Sequence, residues 1–234
     1  MDSFESNIIR ENIKRVRGAI AEAAIKSGRQ PGDITLVAAA KTKPAGYIRQ
    51  AIDAGIDAVG ENRVQEMLIK NQQGAYEGAP LHYIGHLQSN KVPKIVGVCD
   101  LIESVSSKAL LEAIGKKADS KGIRQDVLIE VNIGREPQKS GILPEQLEEI
   151  LELASGTRGI NVLGLMSIPP FPEGNERYCY YFDIMFKLFV DMRTKKYDNV
   201  SVRFLSMGMS ESYTDAILAG SNMVRIGTAI FGER

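Results

Sequence analysis

Apolar residues near the start of the chain recur at helical spacing: Ile9, Ile13, Val16, Ile20 and Ala24, with Arg, Lys and Glu between them. They fall on one stripe, which predicts an amphipathic helix ending near Gly28. Beyond it the period changes. Short apolar runs, rich in β-branched and small residues, alternate with amphipathic stretches punctuated by Gly and Pro. The runs predict strands at Ile34–Ala40, Asp57–Gly60, His82–Gly85, Leu101–Val105, Asp126–Asn132, Val162–Met166, Val202–Ser206 and Val224–Gly227. Helices are predicted at Ala45–Ala54, through Val64, Met67 and Leu68, around Ser89–Val96, and across Leu110, Leu111 and Ile114 up to Gly122. Others run from Pro144 to about Ser155, from beyond the prolines of Pro169–Pro172 to near Arg193, and over Ser212–Ala219.

Strands alternating with helices define a parallel α/β fold. Near-continuous apolar strands are buried on both faces, in a closed barrel and an open sheet alike. Eight such units in 234 residues favour a (β/α)8 TIM barrel. The expectation is a single domain over residues 1–234, with an N-terminal helix in 1–30 plugging the barrel floor and the barrel itself over 34–232.

Composition narrows the function. Lys plus Arg and Asp plus Glu both number 29, so no charge excess points to nucleic acid or an anionic membrane. No apolar stretch approaches the ~18 residues of a membrane span, and the N-terminus lacks a secretory pattern. Cys99 and Cys179 match no metal spacing. So few cysteines suit a reducing compartment, and the expected location is the cytoplasm.

The chemistry gathers at strand ends, where such a barrel builds its site. Lys41 follows the apolar run Ile34–Ala40, just before Pro44. It is either a strand end reaching solvent or an amine in a dry pocket. Two glycine-containing loops follow the last strands: Ser206-Met207-Gly208-Met209-Ser210, and Arg225 to Gly232 with Gly227 and Thr228. Each offers N–H and hydroxyl donors to an anion, and the loops after strands seven and eight are the usual phosphate site of this fold. A serine cap and a Gly-Thr turn are the plainer readings of each alone. Together with Lys41, adjacent around the ring, they suit a ligand with a phosphate at one end and an aldehyde at the other. Pyridoxal phosphate is such a ligand, and lysine is its usual Schiff-base partner.

The chain also resembles the pyridoxal phosphate homeostasis proteins, relatives of the alanine racemase N-terminal barrel. The motifs are Ala40-Lys41-Thr42-Lys43-Pro44, Gly60-Glu61-Asn62, His82 to Gln88, Asn90-Lys91, Leu205 to Ser210 and Arg225 to Gly232. The resemblance implies Lys41 as the Schiff-base lysine, with Ser206, Gly208, Gly227 and Thr228 around the phosphate. It implies Arg225 against the pyridine nitrogen and Asn62, His86 and Asn132 near the ring. Met166 and Ser210, at the sixth and seventh strand ends, complete the candidate set. Three positions depart from the family pattern: Arg63 for a common Tyr, Ser106 for Asp and Ser212 for Asp. Lys43 and Lys139 are expected to be solvated loop residues.

The implied function is a carrier for vitamin B6 homeostasis that holds the cofactor and supplies it to apo-enzymes as a monomer, without catalytic residues of its own. The alternative is an amino-acid racemase, and a class I aldolase-like enzyme is a third reading. The sequence stops at Arg234, just past the eighth strand, so the racemase's second domain is not expected.

Overall fold

The computed structural model describes residues 3–171 and 178–233; Pro172, the last of the predicted loop prolines, lies outside them. Eight parallel strands close into a barrel in chain order: β1 Thr35–Ala39, β2 Ala58–Glu61, β3 Leu81–Tyr83, β4 Leu101–Val105, β5 Gln125–Glu130, β6 Ile160–Met166, β7 Val200–Ser206 and β8 Met223–Ile226. The helices are α1 Ser3–Lys26, α2 Ala45–Asp53, α3 Val64–Gln72, α4 Val92–Ile95, α5 Lys108–Ser120, α6 Leu147–Gly156, α7 Tyr178–Thr194, α8 Tyr213–Leu218 and α9 Thr228–Phe231. Among the described residues no helix is long and apolar enough to cross a membrane.

Alternation along each strand divides the buried residues in two. Leu36 and Ala38 join the large core between sheet and helices, while Val37 joins a small cluster with Ala58, Leu101, Leu128, Leu163 and Met223 inside the barrel. Strand β1 closes the ring by pairing with both β2 and β8, Val37 lying opposite Ala58 and Arg225.

Two expectations change. The β5 strand ends at Glu130 rather than Asn132, because the chain returns there: the Asn132 N–H donates to the Ile142 carbonyl at 2.9 Å. Helix α1 does not plug the floor. It packs on the outside against α2, α8 and α9. Helix α9 has only 4 residues, too short to cover β8 and β1, and α1 fills that place in the outer ring. Its polar side chains meet carbonyls near helix ends there: Asn12 donates to Ile230 O at 2.9 Å and Arg17 to Gly55 O at 2.7 Å, while Arg29, just past α1, donates to the carbonyls of Ser221 and Ile217.

Candidate functional site

The Lys41 loop is a tight turn. The Lys43 N–H donates to Ala40 O at 3.0 Å, and Thr42 between them has a left-handed φ of 64°. A β-branched residue is rare in that region. Pro44 then caps α2 with an extended backbone. The turn leaves Lys41 half-buried on the rim and sends Lys43 elsewhere. The Lys43 Nζ donates to the carbonyls of Phe231, Gly232 and Glu233 at 3.2, 3.3 and 3.1 Å, so it is a tether to the end of α9 and not a solvated residue.

The two glycine loops interlock. Gly208 has a φ of 96°, and a Cβ there would stand 2.6 Å from the Ala216 Cβ. Its carbonyl accepts from the Arg225 N–H at 3.0 Å. The Ser210 hydroxyl accepts from the Ala229 N–H at 3.2 Å, joining the seventh loop to the start of α9. Ser212 accepts from the Met209 N–H at 3.2 Å and shapes the turn. Beside these loops lies a cavity of about 550 Å³ lined by Ala39, Ser210, Arg225, Gly227 and Thr228, with Phe171 and Tyr178 as an aromatic wall. That volume suits a cofactor-sized ligand.

Under the rim the barrel interior is polar. Buried Arg225 donates to Ser206 Oγ at 2.6 Å and Ser167 O at 3.0 Å, and its guanidinium is 3.7 Å from Glu103. Ser206 Oγ donates to Glu103 Oε2 at 2.6 Å, and His82 Nδ1 lies 2.8 Å from Glu103 Oε1. Burial pushes the Glu103 carboxyl up, but its bonds and attraction to His82, Arg225 and Ser206 outweigh burial and hold it below the ordinary range. Burial pushes the Glu130 carboxyl up to about 7, against the pull of Arg225. Ser206 is therefore not a free phosphate donor: it is fully buried, and its hydroxyl is committed to Glu103 and Arg225.

The other predicted residues divide. Asn62 and His86 line a smaller cavity of about 260 Å³ with Glu130, Lys139 and Ser140. His86 Nδ1 is 2.8 Å from Ser140 Oγ. Asn132 does not face this space with free polar atoms. Its amide donates to Glu136 O at 2.8 Å and Lys139 O at 3.4 Å, and its oxygen accepts from the Glu136 N–H at 3.2 Å. It folds the loop after β5. Lys139 is engaged as well, donating to Pro169 O at 3.2 Å and pairing with Glu136. Met166 is fully buried and extends the apolar cluster inside the barrel.

Sequence reasoning missed His82, Glu103 and Glu130. Their signal was present: each is a polar residue at a barrel-facing position of an otherwise apolar run.

Rim and fold define a barrel of the racemase type, and the family model described as the alanine racemase N-terminal domain matches residues 7–234. Pyridoxal phosphate homeostasis proteins of Aquifex aeolicus and Escherichia coli are 42% and 38% identical; the matches cover 96% and 97% of this chain and 97% of each relative. The chain belongs to the pyridoxal phosphate homeostasis protein family. Among solved structures, an unknown protein from Bifidobacterium adolescentis has a TM-score of 0.93 at 36% identity, covering 99% of this chain and 97% of that one. PipY of Synechococcus elongatus, solved with pyridoxal phosphate bound, has a TM-score of 0.82 at 29% identity, covering 96% and 100%. An alanine racemase from Clostridium difficile, 19% identical with a TM-score of 0.76 over 97% of this chain and 57% of that one, shares the fold.

Proposed function

We propose that the protein binds pyridoxal 5′-phosphate on the rim formed by β8, β1 and β2 and serves intracellular vitamin B6 homeostasis, holding the cofactor and supplying it to apo-enzymes. One observation carries the reading. The pairing of β1 with β8 sets Lys41 two residues past Ala39, a wall of the 550 Å³ cavity that Ser210, Gly227 and Thr228 share. The residues fit the group: a lysine for its aldehyde, hydroxyls for its phosphate, and a glycine whose Cβ would come within 3.3 Å of Ala39 O.

When bound, the cofactor supplies an aldehyde that bonds an amine and a phosphate that accepts hydrogen bonds. Lys41 is the amine. Ser210, Gly227 and Thr228 hold the phosphate, and Gly208 permits their loop. Arg225 would face the ring nitrogen, where a guanidinium would disfavour a second positive charge and so weaken the ring as an electron sink. Asn62 and His86, which line the smaller neighbouring cavity, would contact the ring, and Met166 would back it from the buried apolar cluster. Ser206 would act through Arg225, and Asn132 through the β5 loop. The homeostasis names of the relatives support binding and supply rather than turnover. The working form in this proposal is a cytoplasmic monomer.

Borohydride reduction of the loaded protein followed by peptide mass mapping tests this. The expected adduct is on Lys41 and is lost in Lys41→Ala. An adduct on Lys43 or Lys139 instead sinks the assignment. Net interconversion of amino-acid enantiomers that vanishes in Lys41→Ala would replace the carrier role with the racemase.

A further inference from the structure

Helix α3 turns one face toward the sheet, formed by Val64, Met67 and Lys70. Two are apolar and the third is a lysine only 8% exposed. A buried ammonium is costly unless paired, and an apolar side chain would serve packing better. Its partners explain its presence. Lys70 Nζ donates to Glu61 Oε1 at 2.7 Å and to the Ala40 carbonyl at 3.0 Å. Glu61, at the end of β2, is fully buried and also accepts from the Tyr76 hydroxyl at 3.0 Å. One turn back on α3, Glu66 accepts from the Thr42 N–H at 3.1 Å.

These bonds converge on one short segment. Ala40 O is gripped by the Lys70 ammonium and by the Lys43 N–H. The Thr42 N–H is gripped by Glu66, which holds that residue at its left-handed φ of 64°. The backbone on each side of Lys41 is therefore fixed by α3. A strained residue survives where its surroundings over-determine it, and such residues cluster at functional sites.

We propose that Lys70, braced by Glu61 and Tyr76, is a positioning residue that presents the Lys41 amine for bond formation with an aldehyde ligand. The inference rests on Lys41 being the bonding amine. In the step it serves, the Lys41 nitrogen bonds the aldehyde carbon, and the two amine protons leave with the aldehyde oxygen as water. No electrons are gained or lost. Lys70 touches none of the reacting atoms. It sets the direction from which the amine approaches, and misplacement by ~1 Å can slow a positioned reaction by up to ~100-fold.

The test uses pyridoxal phosphate and the full chain, measuring the rate of borohydride-trappable adduct separately from the equilibrium dissociation constant. In Lys70→Met the trapping rate falls about tenfold. In a Lys41→Ala background the same change leaves the dissociation constant unmoved, because Lys70 acts only through Lys41. Lys70→Met strands the buried Glu61, so the pair Lys70→Met with Glu61→Leu is the second variant. It removes both charges, keeps the fold and still traps slowly, because Ala40 O stays unclamped. Wild-type trapping rates in the pair overturn the inference, as does equal weakening of affinity by Lys70→Met with and without Lys41. Trapping that persists in Lys41→Ala overturns the reading of Lys41 as well.

Discussion

The barrel interior holds two layers of side chains that differ in kind. Toward the amino ends of the strands lie Leu101, Leu128, Phe204 and Met223, part of one apolar cluster. Two residues further along the same strands, on the same face, stand Glu103, Glu130, Ser206 and Arg225, all buried. Strands and ring are the same, yet apolar gives way to ionic within two residues. Burying charge is expensive, and a pair often contributes less stability than the apolar side chains that would replace it. The lower layer therefore holds the barrel shut, and the upper layer holds Arg225 in place beneath the cavity.

The sharpest way to break this contrast is to remove one charge. Glu103→Leu leaves Arg225 without its carboxylate and should destabilise by about 3–5 kcal/mol in urea unfolding. Adding Arg225→Met should recover most of that stability and none of the lost pyridoxal phosphate affinity. If the double variant stays as unstable as Glu103→Leu, the upper layer is structural and the contrast fails. Leu128→Ala probes the layer below. It should lower stability by about 2–5 kcal/mol while the variant, once folded, keeps wild-type affinity.

A pH profile sharpens the comparison further. Burial raises the Glu130 carboxyl in the folded chain from 4.5 to about 7, with Arg225 opposing. A raised acid binds its proton more tightly when folded, so its stabilising contribution is complete below pH 4.5 and is lost as pH rises through about 7. The full span is about 3 kcal/mol. Glu103 has the opposite sign, its stability fading as pH falls. Glu130→Gln should flatten only the first of these. Unfolding curves at pH 5 and pH 8 that shift equally for wild type and variant would remove Glu130 from the account.

At the cavity the effects are smaller and concern binding. A hydrogen bond to a phosphate contributes about 1.5–3 kcal/mol. Ser210→Ala with Thr228→Val should weaken pyridoxal phosphate much more than pyridoxal in equilibrium titration. Ser206→Ala should weaken both alike, since its hydroxyl serves Arg225. A phosphate-selective loss in Ser206→Ala would return that residue to the phosphate.

Much of this was legible in the sequence, for physical reasons. A strand buried on both faces announces itself as an apolar run, and so the eight strands were readable to within a few residues. The lysine before a proline and the glycines of the last two loops are local punctuation, readable where they stand. The place of α1 was not, because it depends on α9 being too short to cover β8. The partners of Ser206 and Asn132 were not legible for a related reason. A polar residue at a strand end declares an exit from the sheet but not its partner, and Ser206 meets Glu103 from 103 residues away. The Lys70 brace had a local sign, a lysine on an apolar helix face, but its acceptor Ala40 O lies 30 residues back.

The smallest expected effect separates Lys41 from its neighbour. Lys43 shares the rim segment, and a second amine there is the simplest rival for the aldehyde. Its Nζ, however, faces three carbonyls at the end of α9, the helix whose first residue is Thr228. A cation at a helix carboxyl end contributes about 0.3–1 kcal/mol when exposed. Lys43→Met should therefore lower the melting temperature by a few degrees at most and leave the borohydride adduct on Lys41 in full. The tether runs from the lysine turn to the far end of the phosphate helix. Loosening it should raise the dissociation constant for pyridoxal phosphate slightly, by less than the paired Ser210 and Thr228 change. Loss of the adduct in Lys43→Met, with stability intact, would make Lys43 the bonding amine and Lys41 the tether's neighbour.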